Sequence, residues 1–164
     1  AAEALEKGQI ERIILSRPAM EAGESLGYLP GDMAEKMAPY LRPLYDCLGD
    51  RMGGKKVRQY IEDGTIEIAP IGFMRGRTLN NSFVVIDEAQ NCTYGQLKMI
   101  LSRLGWHSTM VVTGDPRQSD LLEGMSGLDD ISRRLEEVPN IAVCKLGNGD
   151  IVRHPLVAEM LDVL

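Results

Sequence analysis

The sequence predicts an α/β fold in which a mostly parallel β-sheet is flanked by helices. Two observations lead to this prediction. Short β-rich runs alternate with helical patterns along the chain, and three of the runs are almost wholly apolar. Strands buried on both faces of a parallel sheet have that composition. With 164 residues, the chain suits one domain, 1–164, which is long enough to bury a core.

The predicted strands are the runs 10–15, 65–69, 83–86, 110–113 and 141–146. The predicted helices are 32–48, 55–62, 93–104, 128–137 and 155–164. We expect breaks in the first of these helices near Pro39 and Pro43. For the helix 93–104, Thr93 is the expected N-cap and Gly105 the expected C-cap.

The two ends of the first strand have distinct flanking segments. Residues 1–7 have the composition of the last turns of a helix that Gly8 terminates, so the chain is expected to begin inside an element. A short frayed terminal helix is the alternative. The glycine-rich segment 23–31 is expected to form a long loop after the first strand.

Composition narrows the class of protein. The chain is 44% hydrophobic and 26% charged, as ordinary globular domains are. A net charge of −6 argues against wholesale electrostatic binding to nucleic acid, although it leaves room for a local basic groove. The three cysteines lie far apart without CxxC spacing, which favours free thiols in a reducing cytoplasm. No apolar run approaches bilayer length, so we expect no membrane partner.

The segment 83–90, FVVIDEAQ, is the strongest indication of chemistry. An apolar strand ends there in two adjacent carboxylates, Asp87 and Glu88. In an open α/β sheet, ligands bind beyond the carboxyl ends of the strands. An aspartate at that place can hold Mg²⁺ bound to nucleotide phosphates, and a glutamate can polarise the attacking water. The structural alternative is a strand that ends in a solvated acidic turn.

The segment 110–118, MVVTGDPRQ, repeats this pattern. A second apolar strand would deliver Asp115 and Gln118 to the same edge of the sheet, where they could sense a γ-phosphate or its attacking water. The alternative is an ordinary Gly-Asp-Pro turn. The occurrence of both segments in this order favours the nucleotide site.

These two segments resemble motifs II and III of superfamily-one helicase-type ATPases, and further strings resemble the PhoH family. The further strings are RPAMEAGE at 17–24, LPGD at 29–32, YLRPLYD at 40–46, MRGRTLN at 74–80 and VRHPLV at 152–157. The resemblance runs from about residue 10 to the end of the chain. It implies a RecA-like P-loop ATPase domain that uses ATP and Mg²⁺, located in the cytoplasm and assembled as a homo-oligomeric ring.

The resemblance also implies roles for individual residues. Asp87 corresponds to the Walker B magnesium ligand and Glu88 to the catalytic base. Gln90 and Gln118 match the glutamines that read the γ-phosphate, and Asp115 lies with them in the nucleotide site. A further candidate is Arg153, as an arginine finger or sensor. Its alternative is a surface arginine near a helix start, where the helix dipole gives it no stabilisation.

The family carries a GxxxxGK[ST] loop upstream of these motifs, and this sequence has none. The segment 49–56 has the glycine and lysine spacing, but Lys56 replaces the serine or threonine that binds Mg²⁺. It also follows a helical pattern instead of a strand, so we expect a basic turn between helices. The first strand and the P-loop are therefore expected just before Ala1. Without their phosphate cradle, this chain alone is expected to be a poor ATPase.

Three arginines are candidates for a nucleic-acid contact or a subunit interface: Arg17, Arg75 and Arg77. The last two flank Gly76 in a turn after the second strand. Single-stranded nucleic acid is usually bound by basic residues together with aromatic stacking platforms, and only Phe73 lies nearby in the sequence. The alternative is that these arginines are simply solvated.

The favoured hypothesis is an enzyme that couples ATP hydrolysis to work on RNA, such as single-stranded RNA, or on an RNA-associated partner. The alternative is a non-catalytic oligomerisation or RNA-binding module that retains the ATPase fold. A GxxxxGK[ST] string upstream of Ala1 would support the enzyme, and its absence from the native gene would support the module.

Overall fold

The computed structural model of the chain describes residues 1–18, 33–122, 124–150, 152, 156–157 and 160. It contains two compact units, residues 1–131 and residues 132–164. The expectation of one domain across 1–164 stays a prediction. The loop predicted for 23–31 lies outside the described residues. Of the helix predicted for 155–164, only 156–157 and 160 are described, and they are helical.

The first unit is built on a four-stranded sheet. Its strands are β1 (Arg12–Ser16), β2 (Ile66–Ile68), β3 (Ser82–Ile86) and β4 (Thr109–Val112). Their order is β2-β1-β3-β4, and every neighbouring pair is parallel. The predicted α/β class with a parallel sheet is confirmed, and four of the five predicted strands are found.

The strand β1 is buried on both faces, as its composition predicts, whereas buried and half-buried residues alternate in β3 and exposed and half-buried residues alternate in β4. Consecutive strand residues point to opposite faces, and Ile13, Ile14 and Leu15 are all buried. On one face, Ile13 and Leu15 belong to a cluster that includes Leu48 and Val57. These two residues come from the helices α2 (Met33–Met52) and α3 (Gly54–Glu62). The short helix α1 (Ala2–Glu6), which ends before Gly8, also packs against this cluster.

The predicted breaks in α2 are wrong, because the helix runs without interruption through Pro39 and Pro43. A proline inside a helix removes one backbone donor and costs ~3 kcal/mol. Packing offsets that cost, since Leu44, Leu48 and Met52 all join the apolar cluster. A local preference is overridden here by burial of the helix's second half.

The helix α4 (Tyr94–Leu101), which follows β3 in the chain, begins where the sequence predicts and ends earlier than predicted. Thr93 is the N-cap and forms a capping box with Gln96. The helix ends at Ser102 and not at the predicted Gly105, which is therefore wrong as the C-cap. The backbone N–H of Gly105 donates instead to the carbonyl of Leu79 at 3.0 Å. This pairing of 103–108 with the entry to β3 draws the chain out of the helix.

The fifth predicted strand is also wrong. Residues 141–147 have no regular secondary structure, and the side chains of Ile141 and Leu146 are 42% and 82% exposed. An apolar run becomes a strand only when a neighbouring strand takes up its backbone N–H and C=O groups. The helix predicted before it is present as α5 (Leu128–Leu135).

Candidate active site

The turn after β3 places two carboxylates at the carboxyl edge of the sheet. The backbone N–H of Asp87 donates to the Ser16 carbonyl, and that of Ala89 donates to the Thr113 carbonyl, each at 2.9 Å. The turn is thereby fixed to the ends of both neighbouring strands. Between these two anchors, Glu88 has a left-handed backbone with φ of 55° and ψ of 39°. Such conformations are costly for a residue other than glycine and concentrate at functional sites.

Asp87 has one oriented oxygen and one that faces a positive charge. The Thr113 hydroxyl donates to Asp87 Oδ1 at 2.8 Å. Arg17 Nε lies 3.7 Å from Asp87 Oδ2. The Asp87 side chain is 28% exposed, so it stays accessible from solvent. Carboxylate oxygen is the ligand type that Mg²⁺ prefers.

Glu88 accepts one hydrogen bond on each carboxylate oxygen. Arg17 Nη2 donates to Oε1 and Gln90 Nε2 donates to Oε2, both at 2.6 Å. The bond from Gln90, followed by that from Arg17, holds the pKa of Glu88 below its usual value, although partial burial acts in the opposite direction. Glu88 is therefore ionised at neutral pH, the form in which a carboxylate can accept a proton from water.

Gln90 is buried at 2% exposure and joins the turn after β3 to the loop after β4. Its Oε1 accepts from the backbone N–H of Asp115 at 3.2 Å, and its Nε2 also lies 3.4 Å from the Gln118 carbonyl. The Ser119 hydroxyl donates to the Gln90 carbonyl at 3.1 Å. Both ends of the amide are thus used within the chain.

A neighbouring pair of residues strengthens the same connection. The side-chain amide of Asn91 donates to the Asp120 carboxylate at 3.1 Å, and its oxygen accepts from the Asp120 backbone N–H at 2.8 Å. The two loops after β3 and β4 are therefore linked by side chains along their length.

Asp115 and Gln118 lie at this edge, as the sequence predicts. Asp115 Oδ1 accepts from the Arg117 backbone N–H at 3.0 Å and caps the short 3-10 turn Pro116–Gln118. Gln118 Nε2 donates to Asp115 Oδ2 at 3.0 Å. The backbone bond from Arg117 is the main reason that the pKa of Asp115 is lowered. The Gln118 side chain is exposed.

The structure brings Arg17 into this cluster, where sequence reasoning did not place it. Arg17 was a candidate for nucleic acid or a subunit interface, yet its guanidinium contacts both Asp87 and Glu88. The position of Arg17 could have been found only from the strand order, because Arg17 follows β1 and β1 pairs with β3. The hydroxyl of Thr113 was missed for the same reason, although its position at the end of β4 is visible in the sequence.

The other two arginines have different surroundings. Arg77 donates through both terminal nitrogens to the Glu67 carboxylate, with Nη2 at 2.8 Å from Oε2. Arg75 is exposed, and the nearby Phe73 is 59% exposed. Arg77 is thus engaged in an ion pair at β2, and Arg75 has the more accessible side chain.

The Glu67–Arg77 pair predicts a pH dependence of stability. The hydrogen bond from Arg77 lowers the pKa of Glu67 in the folded chain. Its contribution is therefore present above the unfolded pKa, about 4.3, and is lost as pH falls through the folded value. We expect Arg77→Gln to lower the free energy of unfolding by ~1 kcal/mol at pH 7. The difference from the parent should shrink as the pH falls below the unfolded pKa, as measured by urea unfolding from pH 7 to pH 3.

The matched control for this measurement is Arg75→Gln, which removes the same charge from an exposed position that bonds to no carboxylate among the described residues. We expect it to leave the pH profile of stability unchanged. Equal profiles for the parent and Arg77→Gln would contradict the assignment of the pair.

The segment 49–56 lies where two helices meet, but the predicted turn is reduced to Gly53 alone. α2 ends at Met52 and α3 begins at Gly54, so no strand precedes the glycines. Lys56 Nζ donates to Glu6 Oε1 at 2.9 Å and lies 5.6 Å from the centre of the Tyr60 ring. This lysine is thus engaged on the side of α1 and α3. Arg153, the candidate finger or sensor, lies outside the described residues.

The donor set suits a magnesium–nucleotide complex better than a metal held by protein alone. Within the described parts of the chain, no group of three or more His, Cys, Asp and Glu residues converges to hold a metal ion. Mg²⁺ is commonly held by one or two carboxylates together with substrate phosphates. Asp87, with Thr113 orienting one oxygen, fits that requirement.

No described helix is long and apolar enough to cross a membrane.

Comparison with known proteins identifies relatives along the whole chain. The family model described as PhoH-like protein matches residues 1–164. The chain is 52% identical over 163 residues to a PhoH-like protein of Bacillus subtilis strain 168, covering 99% of this chain and 51% of the relative. It is 50% identical over 163 residues to a PhoH-like protein of Synechocystis, covering 99% and 50%.

A third relative is Protein PhoH of Escherichia coli K12, which is 48% identical over 164 residues, covering 98% of this chain and 46% of the relative. The chain thus spans about half the length of these relatives. The match over residues 1–164 and the identity to all three show that the chain belongs to the PhoH-like protein family.

Proposed function

We propose that this chain is the catalytic part of an ATP-binding and ATP-hydrolysing protein. The observation that supports the proposal is the meeting of Asp87 and Glu88 with Thr113 and Arg17 at the carboxyl edge of one parallel sheet. Ligands of open α/β sheets bind at that edge. The family to which the chain belongs supports a P-loop type of nucleotide chemistry.

In this proposal each residue has a distinct task. Asp87 would hold Mg²⁺, directly or through water, while Thr113 fixes the orientation of the Asp87 carboxylate. Mg²⁺, when bound, neutralises charge on the β- and γ-phosphates of ATP. Glu88 accepts a hydrogen bond from the attacking water and thereby directs a lone pair of the water oxygen at the terminal phosphorus. Gln118 and Asp115 lie on the next loop, from which Gln118 can contact the γ-phosphate or that water.

Arg17 balances the charge of the acidic pair. Two adjacent carboxylates repel each other, and a guanidinium 2.6 Å from Glu88 lowers that repulsion. It also fixes the Glu88 side chain from the side of β1. We propose that Arg17 serves the site in this way and does not serve as a nucleic-acid contact.

The finer parts of the function rest on the family resemblance. We propose that hydrolysis is coupled to work on RNA or on an RNA-associated partner, in a cytoplasmic homo-oligomeric ring. Arg75, beside the exposed Phe73, is the candidate contact for single-stranded RNA. Arg153 is the candidate finger or sensor, because such a residue stabilises charge on the phosphoryl oxygens in the transition state.

The experiment compares two forms of the protein. One is this chain alone. The other, here called the loop-bearing protein, is this chain preceded by a strand and a GxxxxGK[ST] loop. We expect Mg²⁺-dependent release of phosphate from ATP by the loop-bearing protein and little or none by the chain alone, because the loop supplies the phosphate cradle. Equal turnover by the two forms, or none by either, would contradict the proposal.

A further inference from the structure

Gln90 has an environment that does not suit a residue waiting for a ligand. Its side chain is buried at 2% exposure, and neither end of its amide is left for a phosphate. The nitrogen donates to Glu88 at 2.6 Å, and the oxygen accepts from the Asp115 N–H at 3.2 Å. An amide that is satisfied at both ends and shielded from water fixes the groups on either side of it.

The space around this amide is limited by Gly114. A Cβ atom added at Gly114 would lie 2.6 Å from Gln90 Oε1 and 2.8 Å from Leu128 Cδ2. Both distances are too short for carbon beside these atoms, so any side chain there would displace the Gln90 amide and the end of the Leu128 side chain. The same atom would lie 3.0 Å from the Gln90 backbone nitrogen. The backbone of Gly114 does not have positive φ, so the requirement for glycine at this position is one of space.

We infer that Gln90 is a positioning residue that fixes the Glu88 carboxylate relative to the loop after β4, and that position 114 is glycine because the Gln90 amide, together with the Leu128 side chain, occupies the space of a side chain. The inference rests on the proposed role of Glu88. In this arrangement Gln118 and Glu88 keep a fixed separation, since Gln90 bonds to Glu88, to Asp115 and to the Gln118 carbonyl. Gln90 then acts through Glu88 and does not read the γ-phosphate itself.

The first test uses the chain alone and needs no activity. Gly114→Ala should lower the thermal unfolding midpoint in the parent, and by less in a Gln90→Ala background, where the amide is gone and only the contacts to Leu128 and to the backbone of residue 90 remain. Gln90→Asn, with a shorter side chain, provides the same comparison if the alanine variant does not fold. Equal losses in both backgrounds would overturn the steric part of the inference.

The matched control is Gly95→Ala. Gly95 lies on α4 with no atom within 4 Å of an added Cβ. Alanine is the better helix former, so this variant should raise the unfolding midpoint in either background. The control separates the crowding at Gly114 from a general effect of adding a methyl group.

The second test uses the loop-bearing protein. Gln90→Met keeps the volume of the side chain and removes its hydrogen bonds. A misplaced reacting group can cost ~10²-fold in rate, so kcat should fall by up to that factor. The ratio of ATP to ADP affinity should stay at the parent value. In a Glu88→Gln background, Gln90→Met should slow single-turnover hydrolysis no further, because its effect passes through Glu88.

Gln59→Met is the control, since Gln59 is exposed on α3, and it should leave both measurements at parent values. A selective loss of ATP affinity in Gln90→Met would overturn the inference and restore a γ-phosphate contact, as would a further loss of rate in the Glu88→Gln background. If Glu88→Gln itself hydrolyses ATP at the parent rate, the proposed function fails instead. The coupling between Gln90 and Gly114 is then still decided by the unfolding test.

Discussion

In the loop-bearing protein, Glu88→Gln is expected to hydrolyse ATP ~10²–10⁴-fold more slowly than the parent, because general-base catalysis contributes that much. Glutamine keeps the size of the side chain and can still accept a hydrogen bond, but its amide cannot take a proton from water. Binding of ATP with Mg²⁺ should persist, since Glu88 is assigned no contact to the metal. Steady-state phosphate release and binding of a fluorescent ATP analogue measure the two quantities.

The matched control is Glu62→Gln, which makes the same chemical change at an exposed position on α3. It should hydrolyse ATP at the parent rate. Parent-level turnover by Glu88→Gln would show that the assigned base is wrong. A parallel loss of ATP binding in that variant would show instead that Glu88 serves the nucleotide or its metal.

Asp87→Ala is expected to raise the Mg²⁺ concentration for half-maximal turnover by more than ~10²-fold, since loss of a residue that merely orients a ligand already costs 10- to 100-fold in metal affinity. Thr113→Val provides a graded comparison. It removes the hydroxyl that donates to Asp87 Oδ1 and keeps the carboxylate, so a smaller shift of ~10-fold is expected. Magnesium titrations of phosphate release measure both shifts.

The order of the two shifts carries the argument. If Asp87 holds the metal and Thr113 orients the Asp87 carboxylate, the half-maximal Mg²⁺ concentration must rise more in Asp87→Ala than in Thr113→Val. Unchanged Mg²⁺ dependence in Asp87→Ala, with hydrolysis retained, would remove Asp87 from the metal site. The control is Asp63→Ala, which removes an exposed carboxylate on the surface and should leave the half-maximal Mg²⁺ concentration unchanged.

The sequence predicted the fold class and the edge of the sheet at which the polar residues meet. This prediction succeeded because β1 and β3 are apolar and largely buried, and because Asp87 follows β3 directly while Asp115 lies three residues beyond the end of β4. The chain has a parallel sheet and belongs to the PhoH-like family. With these two findings, its fold is that of a RecA-like P-loop NTPase.

The details that depend on neighbours in space could not be predicted. The role of Arg17 depends on the pairing of β1 with β3, which local composition does not determine. The burial of Gln90 depends on the adjacent loop from β4, and the continuity of α2 through its prolines depends on packing against α3 and β1. The run 141–146 has the composition of a strand, yet its residues form no strand in the structure. Composition alone does not determine whether a neighbouring strand is available for backbone pairing.

The measurement that tests the central claim most directly is a crystal structure of the loop-bearing protein with Mg²⁺ and a non-hydrolysable ATP analogue. We expect the terminal phosphate to lie beyond the carboxyl ends of β3 and β4, with Asp87 bound to Mg²⁺ directly or through one water. A water should lie between Glu88 and the γ-phosphate. Phosphates bound around Gly53 between α2 and α3, or at the amino edge of the sheet, would contradict the claim.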